Sequence, residues 1–148
     1  MKTGYPSLSR RSDAFAALGC AMREAAAGSA DGFAGSFAQL VDSVHLSNPW
    51  FTPDNVRLAL SSLGNALMPE KLDRWLSAYP ELEEQREPAT VGVVMAGNIP
   101  MTGFHDLLCV LITGNTLQAR LSSKDELLIR AVAETLTDIE PAFKPFIR

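Results

Sequence analysis

The stretch VGVVMAGNIPMTGFHDLLCVLITGNTLQARLSSK, residues 91–124, contains the order of elements that decides the fold. Residues 91–94 form a short apolar run without alternation, which is typical of a buried parallel strand. A glycine turn, an apolar segment long enough for about three helical turns and a second strand candidate at residues 116–121 follow. Gly114 and Asn115 end the helix because both tolerate the left-handed conformation. This order predicts a βαβ unit with both loops at the carboxyl ends of the strands, where open α/β sheets bind ligands.

The residues before this stretch predict a helical region. Apolar side chains recur at helical spacing, and glycine or proline separates four helices, the third capped by Thr52. The buried helix faces are expected to include large side chains along the whole chain: Phe33, Tyr79, Leu127. A further amphipathic helix is predicted at residues 125–137. We therefore divide the chain into a helical N-terminal region, a charged connector and a partial dinucleotide-binding βαβα region: residues 1–80, 81–90 and 91–148.

Composition excludes several classes of function. A hydrophobic content of 47% and a charged content of 20% are typical of a soluble globular protein. The net charge of −4 gives no general attraction to nucleic acid or to an anionic membrane. Two cysteines, Cys20 and Cys109, form neither a disulfide framework nor a metal-binding pattern, which indicates a reduced, cytoplasmic setting. No apolar run reaches the length of about 18 residues that a membrane span needs.

The same stretch, as AGNIPMTGFHDLLCVLITGN followed by LSSKD, resembles the acyl-CoA reductases of the bacterial luminescence type. The resemblance is clearest over residues 91–128 and extends more weakly to residues 48–53 and 75–79. These enzymes belong to the aldehyde dehydrogenase superfamily. The resemblance therefore implies an α/β fold, in which a helical N-terminal region precedes a βαβα piece of a Rossmann-like cofactor domain. It also implies reduction of an acyl-CoA or another acyl thioester to a fatty aldehyde, with NADPH as cofactor and a cysteine thioester as intermediate.

Asn98 is the candidate catalytic residue. It follows Gly97 on the turn after the first strand, where its amide could donate to the oxyanion formed when a thiolate attacks a thioester or aldehyde carbonyl. By the resemblance, Asn98 matches the asparagine of the Asn-x-Pro motif that forms the oxyanion hole of aldehyde dehydrogenases. The alternative is a turn asparagine that bonds its own backbone.

Four residues at the end of the second strand are the candidate cofactor-binding residues: Arg120, Ser122, Ser123 and Lys124. The corresponding aldehyde dehydrogenase segment reads Lys-Pro-Ser-Glu and holds the adenosine ribose, so Arg120 matches the lysine and Ser123 matches the glutamate. A glutamate bound to the ribose 2′-hydroxyl would repel a 2′-phosphate, whereas Ser123 and Lys124 would bind one. This difference predicts NADPH over NADH. The alternative, compatible with the first, is that Ser-Ser-Lys-Asp caps the following helix.

Other reactive side chains have simpler interpretations. Cys109 lies among apolar residues of a helix, which predicts a buried and inert thiol. His105 and Asp106 are adjacent in sequence, so they do not face each other on a helix and form no catalytic dyad. No Cys/His spacing indicates a metal site.

Two classes of function follow from these patterns. The first is the N-terminal, cofactor-binding part of an NADPH-dependent acyl-CoA reductase, whose catalytic cysteine lies beyond Arg148 by the resemblance, so that this chain alone is expected to be inactive. The second is a non-catalytic, truncated module that binds a nucleotide, an acyl-CoA or a protein partner. An oxidative aldehyde dehydrogenase fits the departures at Arg120 and Ser123 less well. A two-stranded parallel sheet leaves both edges open, which predicts a piece of a larger domain and a tendency to form a homo-oligomer.

Overall fold

The computed structural model describes residues 4–84 and 86–148. It contains helices and strands in the predicted order: α1 (Leu8–Ala26), α2 (Gly35–Val41), α3 (Pro53–Ala66), α4 (Pro69–Leu76), β1 (Thr90–Val94), α5 (Phe104–Ile112), β2 (Thr116–Arg120) and α6 (Glu126–Ile139). Short 3-10 turns connect them: Gly32–Ala34, Val44–Leu46, Pro80–Glu83 and Pro141–Phe146. In the part of the chain described, no helix is long and apolar enough to cross a membrane.

The two strands form a parallel pair around the crossover helix α5. Thr90 lies opposite Thr116, and the register continues to the end of both strands. The predicted βαβ unit is therefore confirmed, while its identity as a piece of a Rossmann-like cofactor domain stays a prediction. The other edge of β2 is also occupied, because Leu117 forms a parallel bridge with Ile147. Arg148 donates to the carbonyl of Leu117 at 2.9 Å and accepts from the amide of Ala119 at 2.8 Å.

The sheet is covered on one face only. Val91 and Val93 pack against the hydrophobic core, whereas Gly92 and Val94 on the opposite face are exposed. The prediction that β1 is buried on both faces is therefore wrong. A valine-rich run predicts burial on both faces, but this holds only when helices cover both faces. Within the described residues, helices cover only the face of β1 that carries Val91 and Val93.

One hydrophobic cluster joins the helical region to the βαβα region. Helix α1 is its centre and contacts the five other helices. The cluster contains fully buried side chains from both regions, among them Phe15, Leu60, Leu111, Val132 and Phe143. The division into residues 1–80, 81–90 and 91–148 stays a prediction, because a shared core is compatible with one domain or with two closely packed ones.

Three side chains expected on buried helix faces are exposed: Phe33, Tyr79 and Leu127. The second predicted helix is interrupted, because a 3-10 turn ends at Ala34 and α2 begins only at Gly35. Tyr79 lies beyond the end of α4, so the helical spacing that placed it next to Leu76 does not apply. The start of α3 agrees with prediction, since the Thr52 hydroxyl accepts a hydrogen bond from the amide of Asn55 at 3.3 Å.

Replacing Gly64 with alanine is expected to destabilise the protein by about 1–3 kcal/mol, the usual cost of overpacking. A Cβ atom there would lie 2.7 Å from the Gly19 carbonyl oxygen and 2.8 Å from Arg23 Cγ, so α1 and α3 would have to separate. Urea unfolding measures the loss. The Gly92→Ala variant is the control, because no atom lies within 4 Å of a Cβ at Gly92. Equal unfolding midpoints for the two variants would show that the α1–α3 contact tolerates a methyl group.

Candidate functional site

The two loops that follow the strands meet at one edge of the sheet. We call residues 95–103 the Asn98 loop and residues 121–125 the Lys124 loop. A Cβ atom on Gly97 would lie 2.7 Å from Ser122 Cβ and 3.2 Å from Lys124 Cβ, so a glycine is required where the two loops pack together. Gly97 does not have a positive φ, and close approach is thus the reason for a glycine at this position.

Met101 gives the Asn98 loop its sharp bend. It has φ 63°, and it is the one non-glycine residue with a positive φ in the described part of the chain. The left-handed conformation costs an L-residue about 1–2 kcal/mol, so a specific contact is needed to hold it. That contact is a hydrogen bond of 2.5 Å from the Met101 amide to the Asp125 carboxylate.

Asp125 is a buried carboxylate that sequence reasoning treated only as the start of a helix. It is 2% exposed, and its side chain forms no capping hydrogen bond with α6. Burial raises the pKa of Asp125 to about 7, although backbone hydrogen bonds from Met101 and Thr102 act in the opposite direction. No local pattern identifies this residue, because its partner amide lies in a different loop.

Asn48 attaches the helical region to the same edge. Its side-chain amide donates to the Lys124 carbonyl at 3.1 Å, and its side-chain oxygen accepts from the Trp50 amide at 3.1 Å. Asn48 is only 9% exposed, so both bonds are largely shielded from solvent. The weaker part of the sequence resemblance, residues 48–53, therefore lies beside the Lys124 loop.

An apolar groove of about 580 Å³ runs between α3 and the Asn98 loop. Three large apolar side chains on it are exposed to solvent: Trp50 (81%), Leu58 (67%) and Ile99 (60%). The backbone of Trp50 is fixed, because its carbonyl accepts a hydrogen bond from the Asn55 side chain at 3.0 Å. The Trp50 ring is nevertheless exposed. Exposed apolar side chains gathered around a concave surface indicate a ligand site.

Asn98 lies on the wall of this groove. It is exposed, and its side chain forms no hydrogen bond to other described residues. The alternative of a turn asparagine bonded to its own backbone is therefore not observed in the part described. A free amide at the edge of an apolar groove is what an oxyanion donor needs, and the catalytic role of Asn98 stays a prediction.

The candidate cofactor residues lie at the end of β2 and in the Lys124 loop, and two of them, Ser122 and Lys124, form the contact with Gly97. The side chains of Arg120 and Lys124 are exposed, and neither forms an ion pair with any described residue. Ser122 Oγ accepts a hydrogen bond from the Lys124 amide at 3.3 Å, within the loop and before α6 begins. The alternative role as a helix cap is thus not observed at Asp125. Two unpaired cations beside serine hydroxyls fit the phosphate groups of a nicotinamide cofactor.

Cys109 is half-buried, so the prediction that it lies in the core is wrong. Helix α5 is not apolar all round, because His105, Cys109 and Thr113 follow one another at intervals of four residues along one side. Cys109 Sγ lies 3.5 Å from His105 Nε2. Burial, with a smaller contribution from Asp106, raises the pKa of the Cys109 thiol, which keeps the thiol protonated.

A protein family matches the sequence of this chain. The family model for acyl-CoA reductase (LuxC) matches residues 38–144, which is more than half of the chain. The matched part contains α3, the Asn98 loop and the Lys124 loop. Searches of curated proteins and of solved structures returned no match. The chain therefore belongs to the acyl-CoA reductase (LuxC) family.

Proposed function

We propose that this chain is the acyl-binding and cofactor-binding part of an NADPH-dependent reductase that converts an acyl-CoA to a fatty aldehyde. Membership of the acyl-CoA reductase family supports the reaction class. The position of Asn98 on the wall of the apolar groove carries the finer proposal. At this position, the unbonded side-chain amide of Asn98 lies next to a surface suited to a hydrocarbon chain.

In the proposed reaction, the groove binds the acyl chain and the thioester carbonyl lies beside Asn98. A cysteine thiolate attacks this carbonyl carbon, the carbon–sulfur bond to coenzyme A breaks, and the acyl group is transferred to the cysteine. Asn98 donates a hydrogen bond to the oxyanion when this thioester forms and again when it is reduced. Bound NADPH supplies the hydride for that reduction. The aldehyde then leaves, and the thiolate is restored.

The nucleophilic cysteine of this proposal is neither of the two in this chain. The raised pKa of Cys109 disfavours the thiolate that the reaction needs. Cys20 is exposed on α1, outside the groove and outside both loops, and its sulfur contacts the carboxylate of Glu24 at 3.6 Å. We therefore propose that the 148-residue chain alone binds its ligands without turnover.

The cofactor proposal is based on the charge of the Lys124 loop. Arg120 and Lys124 would hold the 2′-phosphate of the cofactor, and Ser123 would donate a hydrogen bond to it. Lys124 is exposed and within the described residues has no carboxylate partner that would compete with a phosphate. A residue of negative charge, which would favour the ribose hydroxyl of NADH, is missing from positions 120–124.

A second candidate function is a non-catalytic module that binds acyl-CoA. The raised pKa of the Cys109 thiol, on the helix that follows the Asn98 loop, favours it. Acyl-CoA-dependent oxidation of NADPH, measured by absorbance on the protein as its source cells make it, separates the two candidates. Oxidation with release of aldehyde supports the reductase. Binding of acyl-CoA without oxidation, in a protein whose intact mass is 16.0 kDa, would overturn it in favour of the module.

Binding in the groove is testable by fluorescence, because Trp50 is one of two tryptophans in the chain. In a Trp75→Phe background, Trp50 fluorescence is expected to change on titration with dodecanoyl-CoA. A Leu58→Asp substitution should weaken this binding about tenfold or more, since burial of one leucine side chain contributes about 1.5–3 kcal/mol.

The matched control for the groove is Leu46→Asp. Leu46 is 79% exposed, like Leu58, but it does not line the groove. This variant should bind dodecanoyl-CoA as tightly as the parent protein. Equal affinities for the Leu46 and Leu58 variants would show that the acyl chain binds elsewhere.

A further inference from the structure

We propose that Asp125 is a positioning residue, whose buried carboxylate holds the left-handed backbone of Met101 and thereby fixes the direction of the Asn98 amide. The importance of that direction for catalysis rests on the proposed function. The dependence of the Asn98 loop on Asp125 does not, because it follows from contacts within this chain.

Hydrogen bonds connect Asp125 to Met101 and fix the backbone as far as Ile99, the neighbour of Asn98. The Met101 amide donates to Asp125 Oδ2 at 2.5 Å, and the Met101 carbonyl accepts from the Phe104 amide at 3.0 Å at the start of α5. The hydroxyl of Thr102 donates to the Ile99 carbonyl at 2.8 Å, next to Asn98. Met101 is thus fixed on one side by a carboxylate and on the other by a helix. Asn98 lies three residues before this bend and one residue before Ile99, so a change in the bend is expected to redirect its side chain.

The Asp125 carboxylate can accept more hydrogen bonds than the one that the Met101 amide donates. Asp125 Oδ1 is buried and has no hydrogen-bond partner among the described residues, whereas Oδ2 accepts from the Asn98 loop. An ionised carboxylate with one unsatisfied oxygen is costly in a buried place. The hydrogen bonds that the carboxylate does accept come from backbone amides of the Asn98 loop, those of Met101 and Thr102.

Ionisation of Asp125 strengthens the hydrogen bond that holds the Met101 bend, but it lowers the stability of the fold. Burial raises its pKa from 3.8 to about 7, and the backbone hydrogen bonds lower it, so the ionised form is the better acceptor for Met101. Because the folded-state pKa is the higher one, the contribution of this group to stability is full below pH 4 and is lost as the pH rises through about 7. The hydrogen bond from Met101 is thus strongest at a pH at which the buried Asp125 carboxylate contributes least to the stability of the protein.

The charged groups around Asp125 lie at the surface. Lys124 and Glu126 flank it in sequence, and Glu126 is paired with Arg130 at 2.6 Å. On α5, which follows the Asn98 loop, His105 and Asp106 are exposed. The Asn98 loop itself carries no ionisable side chain, and Asn48, which bonds the Lys124 carbonyl, is neutral. Titration of the Met101 amide signal near neutral pH would therefore report on Asp125, provided that the His105 contribution is removed.

Nuclear magnetic resonance of the full chain tests the proposal in a His105→Gln background. The Met101 backbone amide and the Asn98 side-chain amide are expected to titrate together, with a midpoint of about 7. In the Asp125→Asn variant, which keeps an acceptor oxygen, both signals should stop titrating while the loop keeps its shape. If Asp125 only supported the fold, its ionisation would not change the chemical shifts of the Asn98 side-chain amide. Persistence of both titrations in Asp125→Asn would overturn the proposal.

Amide hydrogen exchange gives the second measurement. Asp125→Ala removes the acceptor and should speed exchange at Met101 about ten- to a hundredfold, the range expected for loss of a bond to a charged group. Leu111, in the core of α5, should exchange at an unchanged rate. If Asp125→Ala unfolds, Leu111 exchange rises too, and the Asp125→Asn titration decides the proposal. Unchanged Met101 exchange in a folded Asp125→Ala variant would overturn it, whatever the reductase assay shows.

Discussion

Replacing Asn98 with alanine is expected to lower kcat for acyl-CoA reduction by about 100- to 1,000-fold, the usual loss when one oxyanion donor is removed. Asn98 is exposed on the groove wall and has no hydrogen-bond partner among the described residues, so its amide is free to bond the substrate. The measurement is steady-state reduction of dodecanoyl-CoA by the natural protein and by the variant. Because the oxyanion forms only during the reaction, KM should change much less than kcat.

Asn65→Ala is the control for this substitution. Asn65 is an exposed asparagine on α3, outside the groove, and its loss should leave kcat unchanged. Asn98→Asp is the second comparison, because a carboxylate at that place repels an oxyanion and should be at least as damaging as alanine. An Asn98→Ala variant with unchanged kcat and raised KM would show that Asn98 contributes to binding and has no role in the chemical step.

Reversing the charge of Lys124 is expected to abolish the preference for NADPH. In the Lys124→Glu variant, kcat/KM for NADPH should fall about 10- to 100-fold, since a charged hydrogen bond contributes about 1.5–3 kcal/mol. NADH has no 2′-phosphate to repel, so kcat/KM with NADH should stay the same or rise. The ratio of the two values, measured at one salt concentration, is the quantity to report, because exposed charges are screened by salt.

Lys144→Glu provides the matched control for this charge reversal. Lys144 is exposed near the end of the chain, outside the Lys124 loop, and the substitution changes the net charge by the same amount. It should leave the cofactor preference of the protein as it was. A Lys124→Glu variant that still prefers NADPH would contradict the assignment of the phosphate site to this loop.

The sequence was a good guide where local chemistry decides the structure. Helix α5 ends at Ile112, and Gly114, which has φ 87°, follows its C-cap residue as predicted, because glycine accepts that conformation without cost. Thr52 caps α3 as its residue type suggests. The βαβ order follows from such signals, and parallel strands then place the Asn98 and Lys124 loops at one edge. Asn98 is predicted as a site residue for the same reason, since it stands on a turn directly after a strand, and its catalytic role stays a prediction.

The features that sequence reasoning missed depend on contacts between distant segments. Nothing in the sequence near Asp125 shows that its carboxylate turns away from α6 to bond the Met101 amide. Apolar periodicity likewise predicts which side chains avoid water on average, but it does not show which of them surround an open groove. Trp50 and Leu58 are exposed because no described element packs over them. Both features lie at the candidate site, where the structure depends on contacts between segments that are far apart in sequence.

Strand β2 is hydrogen-bonded along both edges, and the sequence distance to each partner affects the order in which the chain folds. The partners of β2 are β1, reached only after α5 has formed a crossover, and Ile147, reached only after α6 has done so. Contacts between residues far apart in sequence require the loss of chain entropy before they give any stabilisation, so they form slowly. The contact between α1 and α3 spans more sequence than the strand pairing, since Arg23 and Gly64 are 41 residues apart, whereas β1 and β2 are separated only by α5 and its loops. The strand pair and the Asn98 and Lys124 loops that follow it can consequently form before α1 packs on α3, so the edge that carries both loops does not have to wait for the complete core.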